Sequence, residues 1–269
     1  MSRKDSYIAA IKKSYTTDKP AIRLGSGILD GEIIAEAEIH LPLKMMNRHG
    51  LVAGATGSGK TRTIQVLAEQ LSNAGVPVFL SDIKGDLSGF GQPGQSNKAI
   101  DERCHALNIT FEPQDYPIEL YSLSGKLGSP MRATVLEFGP NLLAKVLDLN
   151  ATQTGVLAVL FKYADDKNLP MVDLSDLKMT LNYLAEGPGA AEIKSDYGSI
   201  STTTASTILR KIVALEQQGI GSIFGEKSFD IDDLLERVDG KGVISLLNVS
   251  DVQDQPALFS TFMLSLLAE

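Results

Sequence analysis

The sequence predicts an α/β fold: a partial parallel sheet with an N-terminal helix and β-hairpin and a helical insertion. Three short apolar segments support this prediction, and stretches of helical periodicity separate them: 50–54, 76–82 and 243–248. Short apolar runs of this kind are typical of strands buried on both faces of a parallel sheet. One amphipathic helix joins the first two segments within about 35 residues, the length of a βαβ unit, whose strands run parallel.

The N-terminal region, residues 1–45, is predicted to form a helix and then a β-hairpin. Apolar side chains recur on one side of Ser2–Tyr15, as in an amphipathic helix. Alternating apolar and polar residues over 33–41 predict a strand, and Asp30-Gly31 supplies the tight turn from a preceding strand, Ala21–Leu29.

A glycine-rich loop follows the short apolar segment His49–Ala53, which is predicted to be a buried strand. The loop matches G-x-x-x-x-G-K-[ST] and precedes a helix that ends at Gly75, the context expected of a P-loop. Its glycines let backbone N–H groups surround phosphates, and the helix N-terminus adds a favourable dipole. We therefore predict that the chain binds a nucleoside triphosphate, ATP with Mg²⁺, through residues Gly54, Ala55, Thr56, Gly57, Ser58, Gly59, Lys60, Thr61 and Arg62.

Two residues of this loop have predicted chemical roles. Lys60 places a positive charge near the β- and γ-phosphates, so it is a candidate catalytic residue. The hydroxyl of Thr61 is the candidate protein ligand of Mg²⁺.

Asp82 is a second candidate catalytic residue, at the carboxyl end of the next predicted strand, Val76–Asp82. Ligands of open α/β sheets bind at this edge, so Asp82 could assist magnesium or orient water. Asp and Gly are also common turn formers, and Asp82-Ile83-Lys84-Gly85-Asp86 has the composition of a solvated turn. Both interpretations stay open from the sequence.

The remainder of the chain is mostly helical and returns to the sheet near its end. Helices are predicted over Asn97–Leu107, Pro140–Leu149, Thr152–Ala164, Ser175–Ala185 and Ser195–Gln218, and a strand over Ile118–Leu123. A last helix is predicted to start at an Asp254 cap and end at Glu269. The predicted organisation is residues 1–45, helix and hairpin; 46–139, first part of the nucleotide-binding core; 140–220, helical insertion; and 221–269, return to the core.

Composition restricts the classes of protein and partner. The net charge of −8 makes the chain a poor DNA-binding module by itself, because Lys and Arg supply most non-specific affinity for phosphates. No apolar run is long enough to span a membrane, and the first residues lack the apolar core of a signal peptide. The single cysteine, Cys104, excludes an internal disulfide and is predicted to be buried in a helix. Together these features predict a cytoplasmic protein with no membrane partner.

An acidic Walker B strand, which hydrolytic P-loop enzymes use to hold magnesium and activate water, has no good match in the sequence. Only Phe79–Asp82 and Ile244–Asn248 come close; the first lacks a following Glu and the second ends in Asn. We therefore expect this chain to bind ATP but to hydrolyse it little or not at all.

Several blocks of sequence resemble an uncharacterised bacterial family of HerA-like ATPases, and the similarity covers nearly the whole chain. The most specific blocks are Asn47–Thr61 and Asp82–Gly89, and Phe224–Glu226 and Leu264–Glu269 are also similar. The resemblance implies a RecA-like P-loop sheet, an ATP-dependent motor related to FtsK-type DNA pumps and helicases, and often a hexamer. It also implies that the acidic Walker B pair follows Glu269, so that this chain would be the N-terminal part of a longer protein. Under this expectation DNA is a partner of the full-length assembly.

Two other classes of P-loop protein, a GTP-dependent switch and a small-molecule kinase, match parts of the sequence. A GTP-dependent switch would use Asp82–Gly85 as D-x-x-G and Asn248–Asp251 as a variant of N-K-x-D, but Val249 replaces the lysine. A small-molecule kinase would use the helical segment as a lid, but no arginine-rich lid motif is present. Three arginines are candidates for acting across a subunit interface, and a solvated surface position is the alternative for each: Arg48, Arg132 and Arg210.

Overall fold

A computed structural model describes residues 2–254 and 256–267 of the chain. The helices are α1 (Arg3–Tyr15), α2 (Lys60–Asn73), α3 (Lys98–Leu107), α4 (Val135–Val146), α5 (Ala151–Asp166), α6 (Leu174–Ala185), α7 (Ala190–Asp196), α8 (Thr202–Gln217) and α9 (Pro256–Leu266). The strands are β1 (Ala21–Leu29), β2 (Glu32–Pro42), β3 (Val78–Asp82), β4 (Ile118–Ser122), β5 (Ser129–Pro130), β6 (Arg237–Val238), β7 (Lys241–Gly242) and β8 (Ile244–Asn248).

The largest sheet has four strands in the order β3-β8-β4-β5. Two backbone hydrogen bonds fix the direction of β8 against β3: Val78 N–H donates to Val243 O, and Val249 N–H donates to Asp82 O. Residue numbers increase together along both strands, so the pair is parallel, as is the β4–β5 pair. The predicted α/β class with a parallel sheet is confirmed.

The chain forms two compact units. Unit one consists of residues 1–80, 86–119 and 234–245, and unit two consists of residues 81–85, 120–233 and 246–269. The predicted domain boundaries stay predictions.

Unit one contains the predicted N-terminal helix and hairpin. Ser2 and Asp5 form a reciprocal capping box that starts α1. Strands β1 and β2 pair antiparallel through a two-residue turn in which Asp30 and Gly31 both have positive φ, 52° and 86°. This is the backbone geometry of a type I′ hairpin, so the prediction from Asp-Gly is confirmed. The ring of Tyr7 lies against Gly27, where a Cβ atom would come within 2.5 Å of the Tyr7 hydroxyl.

Unit two is largely helical and has its own core. Capping boxes start α4, α5 and α6, so local sequence places their first turns. The helices α5, α6 and α8 pack together, and their shared core is made of fully buried aliphatic side chains: Leu157, Leu160, Leu177, Leu181, Ile208 and Ile212. Helices α4 and α9 also pack together. In α4 the backbone is non-helical at Gly139, whose φ is 73°, so the predicted helix start at Pro140 marks this kink.

The predicted buried strand His49–Ala53 is wrong. These residues form no strand, and the side chain of Leu51 is 89% exposed. Among the described residues, no backbone hydrogen bond joins this segment to another. A parallel strand is held by hydrogen bonds to neighbouring strands, and without them an apolar run lacks a regular structure.

Two smaller predictions also differ from the structure, and a third falls partly outside the described residues. Cys104 is half-buried on α3, which contributes no fully buried residue, because the helix lies on the surface of unit one. The helix predicted over Ser195–Gln218 is interrupted at Gly198, whose φ of 92° is incompatible with an α-helix, so α7 and α8 are separate. Helix α9 spans Pro256–Leu266, close after the predicted cap at Asp254, while residue 255 and the predicted end at Glu269 lie outside the described residues.

Candidate nucleotide-binding site

Helix α2, which follows the glycine-rich loop, is anchored at several points within unit one. The amide of Gln70 pairs with the backbone of Arg23 in both directions, at 2.7 Å each. The buried hydroxyl of Ser72 donates to Gly242 O at 2.6 Å. Gly242 itself approaches the backbone of Val76 so closely that a Cβ atom would lie 2.2 Å away. These contacts fix the helix and therefore the direction in which its N-terminus points.

The loop in front of α2 is compact and depends on its glycines. Gly57 and Gly59 have φ values of 81° and 93°, a region that other residues rarely occupy. The Lys60 ammonium folds back and donates to Gly54 O at 2.8 Å and to Ala55 O at 2.7 Å. Gly54 is close to Ser58, whose hydroxyl would be 2.3 Å from an added Cβ atom. Lys60 therefore holds the loop, and its charge lies at the loop's inner face.

The N-terminus of α2 differs from those of most other helices in the chain. Its N-cap residue is Gly59, and no side chain accepts hydrogen bonds from the first turn. The N-caps of six other helices have a side chain that does: Ser2, Asn97, Thr134, Asn150, Asp173 and Ser201. The first N–H groups of a helix lack intrahelical acceptors, so those of α2 can donate to an external anion.

The loop is open to solvent. Residues 51–59 and the Thr61 and Arg62 side chains are exposed, while Lys60 is half-buried. Arg62 Nη1 donates to Gln65 Oε1 at 2.7 Å, so the Arg62 guanidinium lies along α2. The predicted binding residues therefore lie together around one accessible, positively charged helix terminus.

Asp82 lies at the end of β3 and is only 3% exposed. Its Oδ1 accepts hydrogen bonds from Lys84 N–H at 3.2 Å and from Gly85 N–H at 2.8 Å. Gly85 has a φ of 74°, as a tight turn requires. The carboxylate thus organises the turn after β3, as the turn interpretation expects, but it is buried and not solvated; its catalytic role stays a prediction.

Asn248, at the end of β8, occurs in two sequence comparisons: it stands where a Walker B strand would have Asp, and it begins the variant guanine motif. Its Oδ1 accepts from both Ser250 N–H, at 3.0 Å, and Ser250 Oγ, at 2.7 Å. Its Nδ2 would be 3.6 Å from a Cβ atom on Gly85, so the loops after β3 and β8 meet here. An asparagine that ends a buried strand is the sequence signal that could have drawn attention to this position.

The three candidate trans-acting arginines have different surroundings. Arg48 is exposed, and Arg210 is exposed with a hydrogen bond to Thr207 Oγ1 at 3.1 Å. Arg132 is half-buried; its backbone N–H donates to Ser228 Oγ at 2.8 Å, and its Nε atom is buried. A role across a subunit interface stays a prediction for all three arginines.

Two absences within residues 2–254 and 256–267 bear on metals and membranes. No group of three or more His, Cys, Asp or Glu side chains there could hold a metal ion. No helix in that part of the chain is both long and apolar enough to cross a membrane.

The chain has the features of the class of P-loop proteins: a parallel sheet, a glycine-rich loop with Gly-Lys-Thr and, directly after the loop, an uncapped helix. The particular family follows from comparison of sequences. A family model described as helicase HerA-like, C-terminal, matches residues 29–269, so the chain belongs to the HerA-like helicase family. The resemblance seen in the sequence is thereby confirmed.

Individual known proteins add little to this family assignment. No curated protein matches the chain. Among solved structures, the chain is similar to a bacterial conjugative coupling protein, TrwBΔN70, in its unbound monoclinic form. The identity is 12% and the TM-score 0.46, over 97% of this chain and 56% of that protein. The chain therefore spans about half the length of this relative.

Proposed function

We propose that this chain is the ATP-binding part of a HerA-like motor and that it binds ATP with Mg²⁺ through residues 54–62. The observation that supports the proposal most directly is the N-terminus of α2. It combines N–H groups that have no side-chain cap, a positive dipole end, the Lys60 ammonium and two glycines in left-handed geometry. Each of these features favours a polyphosphate.

Binding of the triphosphate requires Lys60 to exchange acceptors. In the structure the ammonium is satisfied by the carbonyl groups of Gly54 and Ala55. Phosphate oxygens carry negative charge, so the ammonium gains a charge–charge attraction to them that neutral carbonyl groups do not offer. The exchange is therefore favourable.

Magnesium would be held by the Thr61 hydroxyl and by phosphate oxygens and water. Mg²⁺ commonly retains several waters and uses only one or two protein ligands beside substrate phosphates, so one exposed hydroxyl suits this arrangement. When bound, the ion would neutralise part of the phosphate charge.

The alternative of a GTP-dependent switch is weakened by the surroundings of Asn248. In a guanine-binding N-K-x-D motif the asparagine and lysine side chains face the base. Here Asn248 Oδ1 is occupied by Ser250, and Val249 is only 2% exposed. The kinase alternative is weakened because the helices of unit two bury their aliphatic faces against one another, as in an ordinary core.

Titration calorimetry with ATP–Mg²⁺, GTP–Mg²⁺ and a buffer blank tests the proposal against the switch alternative. We expect ATP to bind and GTP to bind at least tenfold more weakly. Tighter binding of GTP would contradict the proposal and restore the switch interpretation.

Steady-state release of phosphate tests the expectation that the 269-residue chain turns ATP over slowly. Positioning of the phosphates lowers part of the barrier, but a residue that holds magnesium and one that orients water are also needed. We expect release close to the buffer rate. Robust release that Lys60→Ala abolishes would contradict this expectation and make Asp82 the first residue to replace.

DNA as a partner and a hexameric ring are part of this proposal for the assembly in which the chain would act. The chain's net charge of −8 indicates that DNA would be contacted by a local basic patch or by the ring as a whole. Leu264 in α9 and Leu267 directly after it are 52% and 78% exposed, which offers apolar surface for self-association.

A further inference from the structure

A cavity of about 190 Å³ opens on the exposed side of α2, within unit one. Three residues of α2 line it, Arg62, Gln65 and Glu69, which recur at helical spacing and so share one face. Phe90 and the loop that contains Phe111 close the other sides. Whole small-molecule sites usually occupy about 300–1,000 Å³, so this volume suits one ring system rather than a complete nucleotide.

Aromatic rings form part of the wall. Tyr116 is buried and packs edge-on against Phe90, with ring centroids 6.4 Å apart at 88°. Tyr116 N–H also donates to Phe90 O at 3.1 Å, which ties the two segments together. Phe111, in contrast, is half-buried and lies in a loop without regular structure. The wall therefore combines a fixed aromatic pair with one accessible ring, and nucleic-acid bases stack on such rings.

The loop beside these rings is held in place by Lys241. Its ammonium donates to Asp115 O at 3.0 Å and to Gln114 Oε1 at 3.3 Å, and it lies 5.1 Å from the centroid of the Tyr116 ring. These contacts preorganise the cavity before a ligand arrives.

Polar groups of the cavity match the edge of a base. Burial raises the pKa of Glu69, and the nearby Arg62 guanidinium opposes this only in part. A partly desolvated carboxyl can accept from an exocyclic amino group. Gln65 uses its Oε1 to accept from Arg62, which leaves its NH₂ group as a donor for a ring nitrogen.

The cavity begins where the phosphate loop ends. Arg62 immediately follows Thr61 and lines the cavity. Gln65 and Glu69 lie about 5 Å and 10 Å further along the helix axis, at a rise of about 1.5 Å per residue. A ligand with its phosphates at the N-terminus of α2 would need only its sugar to reach from the loop to the rings.

We infer that this cavity receives the adenine base of the nucleotide, with Phe111 as its stacking partner and Glu69 and Gln65 as its hydrogen-bonding groups. The inference rests on the proposed binding of ATP at residues 54–62. Under this inference, the outer face of α2 recognises the base and the N-terminus of α2 binds the phosphates.

The test compares ATP–Mg²⁺ with tripolyphosphate–Mg²⁺, which has the phosphates but no base, by titration calorimetry. Loss of a stacking ring costs about 1–3 kcal/mol per base, so we expect Phe111→Ala to weaken ATP binding about 5- to 150-fold. Tripolyphosphate affinity should change less than twofold. Phe111→Tyr, which keeps the ring, should retain ATP affinity, and Tyr15→Ala serves as a control on an aromatic residue that is 50% exposed on α1.

Glu69→Gln provides a second variant that keeps the side-chain volume. We expect it to weaken ATP binding severalfold and leave tripolyphosphate binding unchanged.

If Lys60→Ala abolishes ATP binding while Phe111→Ala and Glu69→Gln have no effect, the cavity is not the base site and the proposed function stands. Equal losses for ATP and tripolyphosphate in Phe111→Ala would also overturn the inference, because the loop would then act on the phosphate site. If the wild-type chain binds neither ligand, the proposed function fails and this inference with it.

Discussion

Replacement of Lys60 by alanine should weaken ATP binding by about 1.5–3 kcal/mol, roughly 10- to 150-fold in Kd. The ammonium is the only positively charged side-chain group that contacts the loop carbonyls of residues 54 and 55 among the described hydrogen bonds. Its removal deletes the charge-assisted hydrogen bonds to the phosphates and leaves backbone N–H groups and the helix dipole. Titration calorimetry with ATP–Mg²⁺ measures the change.

Two further variants show whether the effect belongs to the phosphate loop: a lysine control and a variant of the proposed magnesium ligand. Lys98→Ala removes a lysine that is 90% exposed on α3, and it should leave ATP affinity unchanged. Thr61→Ala should weaken binding mainly when Mg²⁺ is present, because its hydroxyl is the proposed metal ligand. Unchanged ATP affinity in Lys60→Ala, with the variant folded by circular dichroism, would refute the assignment of the site.

Phe138→Ala should lower the free energy of unfolding of unit two by about 3–5 kcal/mol, the usual cost of removing a buried phenyl ring. The Phe138 side chain is 2% exposed and packs edge-on against Phe224, with ring centroids 5.2 Å apart. The residue lies in α4, a helix that packs against both α5 and α9, so the resulting cavity cannot be filled by one small movement.

Denaturant unfolding followed by circular dichroism suits this measurement, since the chain has no tryptophan. Leu136→Ala is the control because Leu136 is on the same helix but 44% exposed; its cost should stay below about 1 kcal/mol. Equal destabilisation by the two substitutions would show that helix propensity rather than burial dominates in α4.

The proposed phosphate site was predictable because the information for its loop conformation is local. A glycine pattern, a lysine and a following amphipathic helix specify a loop conformation without reference to distant residues, and the structure shows positive φ at Gly57 and Gly59 and an uncapped α2. The cavity beside α2 was not predictable in the same way. Its wall joins α2 with Phe90 and Phe111, which are 20 or more positions further along the chain, and only folding places them together.

By itself, the sequence determined the α/β class, the hairpin turn, the capped helices, the P-loop and the family. Each depends on short-range periodicity, turn chemistry or a compact motif, as at Asp30-Gly31. Tertiary structure alone decided that His49–Ala53 is not a strand, that Asp82 organises a turn and that the loops of Asp82 and Asn248 meet. The physical reason is that strand pairing and side-chain hydrogen bonding depend on partners far apart in the chain. An apolar run or an aspartate has several stable environments, and the neighbours that folding provides select one of them.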